Sequence, residues 1–199
     1  PPRFRAARDD ALGHTLRSLL SSIARSRQEF EVNYALLSVH NMLRAPDVNT
    51  LTAHDFTALW HAKLIQHLPG TREWAFVEIL AWLDDPGAAR LFWLMGSGGT
   101  GKTVLTAELL HRLFDRVVAW HFCRHDNAEQ SSPCALLRSL AAMLCTRLPG
   151  FEAALGEVPA ALLESTDAKE VFDALLATPL RELAPPADAE PRLIITDAR

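Results

Sequence analysis

A short segment near the middle of the chain constrains the fold more than any other, because it combines four glycines with small hydroxyl side chains and one lysine. It reads Gly96-Ser97-Gly98-Gly99-Thr100-Gly101-Lys102-Thr103, which meets the spacing G-x-x-x-x-G-K-[ST] in full. Glycine lifts the steric ban on positive φ, so we expect successive backbone N–H groups to turn inward and form an anion nest. A helix that begins near Lys102 would add the partial positive charge of its N-terminus. The segment therefore predicts a phosphate-binding loop.

The residues around the loop predict a strand before it and a helix after it. Arg90–Met95 is a short apolar run bounded by turn residues, which is typical of a strand buried on both faces in a parallel sheet. In that context Lys102 can reach the β- and γ-phosphates of a nucleotide, and the Thr103 hydroxyl can ligate Mg²⁺. The alternative interpretation is a glycine-rich turn that only joins strand to helix.

Two further apolar runs predict the other strands of the sheet. Val117–Phe122 is the second and Arg192–Asp197 the third. Between them, Ser132-Pro133 predicts a helix start with proline at the first helical position, and Asp167 predicts another. Pro179 should break that last helix or begin a short second one. The order strand, helix, strand, helices, strand predicts an α/β fold with a parallel sheet flanked by helices, of the P-loop NTPase type.

A carboxylate at the end of the third predicted strand is the candidate partner of the loop. P-loop ATPases hold Mg²⁺ with an acid at the end of a second hydrophobic strand, and Leu193–Asp197 supplies that pattern. Lys102 and Asp197 are therefore the candidate catalytic residues, and Thr103 and Asp197 the candidate metal ligands. The alternative is that Asp197 only ends a strand or caps a helix. Because Ala198 and Arg199 alone follow it, the sequence assigns no general base.

The N-terminal third differs from the rest and predicts helices without a catalytic pattern. One helical run ends at Pro46, and Leu68-Pro69-Gly70 then punctuates the chain. We therefore predict a helical region over residues 1–68 and a nucleotide-binding domain over residues 69–199. The next helix is predicted to start with Thr71 as its N-cap. Four tryptophans are predicted to be core or interface aromatics: Trp74, Trp82, Trp93 and Trp120.

Composition bounds the class of protein. Hydrophobic residues make up 49% of the chain, enough for a folded core. The formal net charge of -4 offers no general attraction to nucleic acid or to an anionic membrane. Three cysteines are too few for a disulfide framework, and no segment approaches the ~20 apolar residues of a membrane helix. We expect a soluble cytoplasmic protein without membrane or nucleic-acid partners. The lack of an initial Met and the stop at Arg199 indicate a fragment of a larger protein.

Histidine and cysteine alternate at the end of the second predicted strand and in the residues that follow it. His121, Cys123 and His125 would lie on one side of an extended segment. A metal site there would need a fourth ligand, so we favour packed or edge residues of the strand. Cys134 and Cys145 are predicted to be small buried apolar groups.

Five segments form a series along the chain, in the order Leu68-Pro69-Gly70-Thr71-Arg72-Glu73-Trp74, Phe92–Thr103, Trp120-His121-Phe122-Cys123-Arg124, Leu136–Leu140 and Leu193–Ala198. Together they resemble the NACHT and nephrocystin-type nucleotide-binding domains, which belong to the signal-transducing (STAND) P-loop ATPases. The resemblance covers about residues 68–199. Residues 1–67 lie outside it.

The resemblance implies a function. It implies that ATP or ADP, with Mg²⁺, switches a large multidomain protein between closed and assembly-competent forms through other domains, self-association or protein partners. It implies slow nucleoside-triphosphate hydrolysis, a position near the base or ribose for Arg72 and Glu73, and a further strand between the P-loop strand and the Asp197 strand. A substrate-directed P-loop ATPase or kinase and a non-binding scaffold stay open as alternatives, and the sequence does not separate ATP from GTP.

Overall fold

The computed structural model describes residues 51–124, 126–183 and 190–197. The helices predicted for residues 1–50 lie outside the described residues. So do His125, the Pro185-Pro186 linker and Ala198-Arg199.

The described part of the chain is rich in helix and contains a small sheet. Its helices are α1 (Thr57–Leu64), α2 (Glu73–Asp84), α3 (Lys102–Arg112), α4 (Ala128–Ser131), α5 (Pro133–Arg147), α6 (Phe151–Leu155), α7 (Ala160–Glu164), α8 (Ala168–Phe172) and α9 (Thr178–Glu182). A π-helical turn, Asp173–Ala177, joins α8 to α9. Its strands are β1 (Val117–Phe122) and β2 (Leu193–Asp197). The predicted α/β class is confirmed.

The two strands pair in parallel, as expected for the second and third predicted strands. Val117 lies opposite Leu193 and Phe122 opposite Asp197, with one irregularity in register between Val117 and Ala119. All six side chains of β1 are buried, whereas those of β2 alternate between buried and exposed. Strand β1 is therefore covered on both faces and β2 on one.

The core is built around β1 by helices from both sides of it in the sequence. Helix α5 packs against β1, and α3 contacts both α1 and β2. Two aromatic residues from the α1 region, Phe56 and Trp60, lie 5.6 Å and 6.1 Å from the rings of Phe122 and Trp120. The Trp60 indole also donates a hydrogen bond to the Ala107 carbonyl of α3 at 2.9 Å. Helix α1 thus packs onto the helix that follows the glycine-rich loop.

The first predicted strand is not formed among the described residues. Residues 90–95 are assigned to no strand, and Leu91, Trp93 and Met95 are 70%, 73% and 81% exposed. The intervening Phe92 lies 5.4 Å from the ring of Trp82 on α2. The prediction of a strand buried on both faces was wrong because a strand needs a hydrogen-bonded neighbour, and within the described chain β2 pairs with β1 instead.

Helix boundaries followed the local signals in most cases. Ser132 caps α5 by accepting from the Ala135 N–H, and Asp167 caps α8 by accepting from the Lys169 N–H at 2.9 Å. Pro179 lies in the first turn of α9, where its missing N–H costs little. The predicted cap at Thr71 was wrong, because its hydroxyl donates backwards to the Leu68 carbonyl and α2 begins two residues later.

The Trp60 contact generates a stability prediction. We expect Trp60→Phe to lower the free energy of unfolding by about 1–3 kcal/mol, since it removes a buried hydrogen bond and part of a packed ring. The matched control is Trp74→Phe on α2, whose side chain is 61% exposed and should change stability by less than about 0.5 kcal/mol. Urea unfolding followed by circular dichroism measures both, and equal midpoints for the two variants would contradict the assignment.

Candidate functional site

The glycine-rich loop leads directly into α3. Residues 98–100 form a turn, and α3 starts at Lys102 with Gly101 as its N-cap. The first hydrogen bond of the helix joins the Leu105 N–H to the Gly101 carbonyl at 2.9 Å. Among the described residues, no side chain caps this helix start. The first-turn N–H groups of an uncapped helix attract anions, so α3 aims a positive helix end at the loop.

Two of the loop glycines have left-handed backbone conformations. Gly99 and Gly101 have φ values of 76° and 81°, which side chains other than glycine tolerate poorly. Gly96 is constrained by space, since a Cβ there would lie 3.0 Å from the Thr100 hydroxyl oxygen. Gly98 has neither constraint. Within the loop, positive φ therefore occurs at Gly99 and Gly101 and not at Gly96 or Gly98.

The lysine of the loop folds back over it. Lys102 Nζ donates to the carbonyl oxygens of Gly96 at 2.7 Å and Ser97 at 3.1 Å. The Thr100 hydroxyl donates to the same Ser97 carbonyl at 2.8 Å. These bonds close the loop around its own carbonyl groups and hold the ammonium group beside the backbone of Gly96–Thr103.

A second cation reaches the loop from α2. Arg72 Nη2 donates to the Thr100 carbonyl at 2.9 Å. The guanidinium lies where a side chain at position 101 would stand, because a Cβ on Gly101 would come within 2.6 Å of Nη2. Arg72 has φ 59° and is the N-cap of α2. It is the single non-glycine residue with positive φ in the described part of the chain.

The residue after Arg72 contacts the other end of α3. Glu73 forms a bidentate ion pair with Arg112, with distances of 2.9 Å and 3.0 Å. Arg112 also bonds Glu108, and its guanidinium lies over the Phe76 ring at 3.9 Å. Hydrogen bonding to Arg112 lowers the pKa of Glu73, and the same carboxylate raises the pKa of Arg112. Two adjacent residues at the start of α2 therefore hold the two ends of α3.

Asp197 lies at the carboxyl end of β2, opposite Phe122. It is buried, and its backbone carbonyl accepts the Cys123 N–H at 2.8 Å. Burial raises the pKa of the Cys123 thiol, and the nearby Asp197 charge adds to the shift. Strand β2 contacts α3, so the carboxylate belongs to the same packed unit as the loop.

The alternating histidine and cysteine lie in a packed setting. His121 is buried, with Nε2 3.0 Å from the Gln130 carbonyl, and Nδ1 has no hydrogen-bond partner among the described residues. The ring lies edge-on to Phe56 at 4.8 Å and to His54 at 5.6 Å. Burial lowers the pKa of His121, with a smaller contribution from His54. His125 lies outside the described residues, and within them no group of three or more metal-binding side chains is positioned to hold an ion.

The other cysteines and tryptophans agree only partly with the sequence predictions. None of the three cysteines forms a disulfide among the described residues, and Cys134 is buried and Cys145 partly so. Trp120 is buried, but Trp74 and Trp93 are exposed and are not core residues. Within the described residues no helix has the length and apolar character of a membrane span.

One family model matches the chain, and it is described as nephrocystin 3, N-terminal, over residues 70–198. The chain belongs to this nephrocystin 3 N-terminal family. The match begins at the glycine before Thr71 and includes the glycine-rich loop, both strands and Asp197, so the nephrocystin part of the resemblance is confirmed. No curated protein and no solved structure shows a significant match to the chain.

Sequence reasoning missed two contacts of this nephrocystin-type site. The resemblance implies a place near a base or ribose for Arg72, so its bond to the loop was not predicted, and neither was the Glu73–Arg112 pair. The segment Gly70-Thr71-Arg72-Glu73 was the available signal, but residues 28 and 39 positions apart in sequence are joined only by folding.

The left-handed glycine gives a matched pair of loop variants. Gly101→Ala should lower the free energy of unfolding by about 1–3 kcal/mol, because alanine is strained at positive φ and its Cβ would displace Arg72. Gly98→Ala should change stability by less than about 0.5 kcal/mol, since a Cβ there meets nothing within 4 Å. Thermal unfolding measures both variants, and an equal loss from each would show that the described loop conformation is wrong.

The buried histidine gives a pH prediction. Because the folded state lowers the pKa of His121, the unfolded chain takes up a proton first as the pH falls. The contribution of neutral His121 to the free energy of unfolding is therefore fully present above the unfolded histidine pKa of about 6.5, and it is lost as the pH falls below that value. We expect the melting temperature of His121→Gln to fall less than that of the native chain between about pH 7.5 and pH 5.5. His61→Gln, at an exposed position, should keep the native profile, and a native profile for His121→Gln would refute the prediction.

Proposed function

We propose that residues 69–199 form a P-loop NTPase domain of the NACHT type that binds ATP or ADP with Mg²⁺ at Gly96–Thr103. One observation carries the proposal: an uncapped helix start, two left-handed glycines and two cations meet at the same eight-residue loop. Each element alone is common. Their coincidence at a complete G-x-x-x-x-G-K-[ST] motif is what a polyphosphate requires.

The loop side chains have definite roles in this proposal. Lys102 exchanges its contacts with the Gly96 and Ser97 carbonyl groups for phosphate oxygens, which replaces bonds to neutral acceptors by stronger bonds to charged ones. Thr103, in the first turn of α3, would supply a hydroxyl ligand to Mg²⁺, and Asp197 would supply a carboxylate for the metal. Bound Mg²⁺ would neutralise charge on the phosphate oxygens.

The parallel pairing of β1 with β2 supports a P-loop sheet. Two further features are those expected of a sheet that lacks a strand among the described residues. The segment before the loop exposes Leu91, Trp93 and Met95 on one side, and β2 buries only alternate side chains. A further strand beside the segment that precedes the loop would hydrogen-bond its backbone, and helices packed on that larger sheet would cover these side chains.

We further propose a nucleotide-dependent switch with slow hydrolysis as the function of the domain in its complete protein. Glu73, the carboxylate beside loop-binding Arg72, is held by Arg112 with a lowered pKa, which makes it a weak general base. Slow hydrolysis would keep nucleotide on the domain long enough for partner domains to respond to its state.

Titration with a fluorescent ATP analogue tests nucleotide binding. Lys102→Ala should lower the affinity by about 100-fold, because it removes the ammonium contact to phosphate. The matched control is Lys169→Ala, whose side chain is 85% exposed and pairs with Asp173, one turn further along the chain. That control should bind as the native chain does. Equal affinity of Lys102→Ala and Lys169→Ala would exclude the loop as the binding site.

Two additional measurements separate the alternatives. Asp197→Asn should weaken binding in the presence of Mg²⁺ and leave the weaker binding in EDTA unchanged. Rapid steady-state turnover, which requires rapid release of the product nucleotide, would instead favour a substrate-directed ATPase or kinase. Absence of binding by the native chain would favour the non-binding scaffold.

A further inference from the structure

We infer that Arg72 is the positioning residue of the loop: its guanidinium fixes the Thr100 carbonyl, and through it the amides that would face a phosphate. The inference rests on the proposed nucleotide site for its consequence, but its geometric basis is independent of any ligand. The bond from Nη2 to the Thr100 carbonyl is 2.9 Å long and joins residues 28 positions apart.

The backbone of Arg72 is in a strained conformation, which indicates that the surrounding structure holds this residue in place. A non-glycine residue in the left-handed region is strained, and such residues persist where the surrounding structure requires them. Arg72 has φ 59° directly before the first residue of α2. This conformation turns the chain into α2 at the point from which the side chain reaches the loop.

The loop is shaped to receive this side chain. Gly101 has φ 81°, and a Cβ in its place would stand 2.6 Å from Nη2 and 3.1 Å from the central guanidinium carbon. Glycine at 101 thus serves both the turn into α3 and the approach of Arg72. The planar guanidinium covers the peptide between Thr100 and the helix N-cap, so this peptide cannot rotate without breaking the bond.

The two cations of the site therefore differ in role. Lys102 binds the carbonyl groups at the start of the loop, Gly96 and Ser97, and must leave them to contact phosphate. Arg72 binds the carbonyl at the end of the loop and can keep that bond while phosphate binds, because a carbonyl oxygen and the following N–H point in opposite directions. Holding the Thr100 carbonyl outward directs the Gly101 N–H inward.

Amide hydrogen exchange without nucleotide tests the positioning role directly. Arg72→Asn keeps a residue that tolerates the left-handed region and removes the guanidinium, so global stability should be retained. We expect exchange of the Thr100 and Leu105 amides, which bond the Ser97 and Gly101 carbonyl groups, to accelerate by about tenfold, as for loss of one hydrogen bond from a charged group. Arg112→Gln is the matched control, since it frees α2 from the far end of α3 and leaves the Arg72 bond in place. Native exchange in Arg72→Asn, or equal acceleration in Arg112→Gln, would overturn the inference.

Nucleotide affinity supplies the second readout. If Arg72 acts through the loop backbone, Arg72→Asn should weaken fluorescent ATP and ADP analogues by the same factor, about tenfold. A loss confined to ATP would mean direct contact with the terminal phosphate and would overturn the positioning role. If the native chain binds neither nucleotide, the proposed function fails, and the exchange experiment still decides whether Arg72 positions the loop.

Discussion

The burial of β1 on both faces organises the rest of the described structure. A strand with six buried side chains has to satisfy its backbone groups through a neighbour and cover its faces with helices. Strand β2 supplies hydrogen bonds, α5 packs against β1, and the aromatic rings of Phe56 and Trp60 reach it from the α1 region. The same burial lowers the pKa of His121, because desolvation disfavours its charged form. The parallel register then sets Asp197 at the end of the pair, opposite Phe122.

Helix α3 connects the packed core to the loop. Four residues of the helix are buried against its neighbours: Leu105, Ala107, Leu109 and Leu110. Its N-terminus, by contrast, carries the exposed or half-buried residues 96–103. A packed helix with an accessible, uncapped start suits the proposed nucleotide site, since its orientation would already be established before the nucleotide bound. The loop itself keeps its shape through the contacts of Lys102 and Arg72 with carbonyl groups.

Local chemistry was sufficient to predict some of these elements from sequence and insufficient for others. The Ser132-Pro133 start, the Asp167 cap and the runs that became β1 and β2 each depend on a few adjacent residues, and the structure has them where predicted. The apolar run at 90–95 also has the composition of a strand. The apolar composition of such a run predicts that its side chains are buried, but a strand also needs a hydrogen-bonded partner from elsewhere in the chain. Among the described residues no strand pairs with this run. The loop motif could likewise be recognised from the sequence, whereas the hydrogen bond from Arg72 to the loop could not.

The adjacency of Arg72 and Glu73 has a mechanical consequence. Glu73 meets Arg112 through two parallel bonds, a geometry that resists rotation better than a single contact, although partial exposure weakens the pair. Arg72 meets the loop through one bond to one carbonyl. Helix α2 is therefore attached firmly to the last turn of α3 and weakly to the loop before its first turn. A rearrangement of the loop would break the weaker contact first and leave the α2–α3 pair intact. Phosphate binding that keeps the Arg72 bond would leave both contacts in place, so only a larger change in the loop backbone would separate the loop from the start of α2.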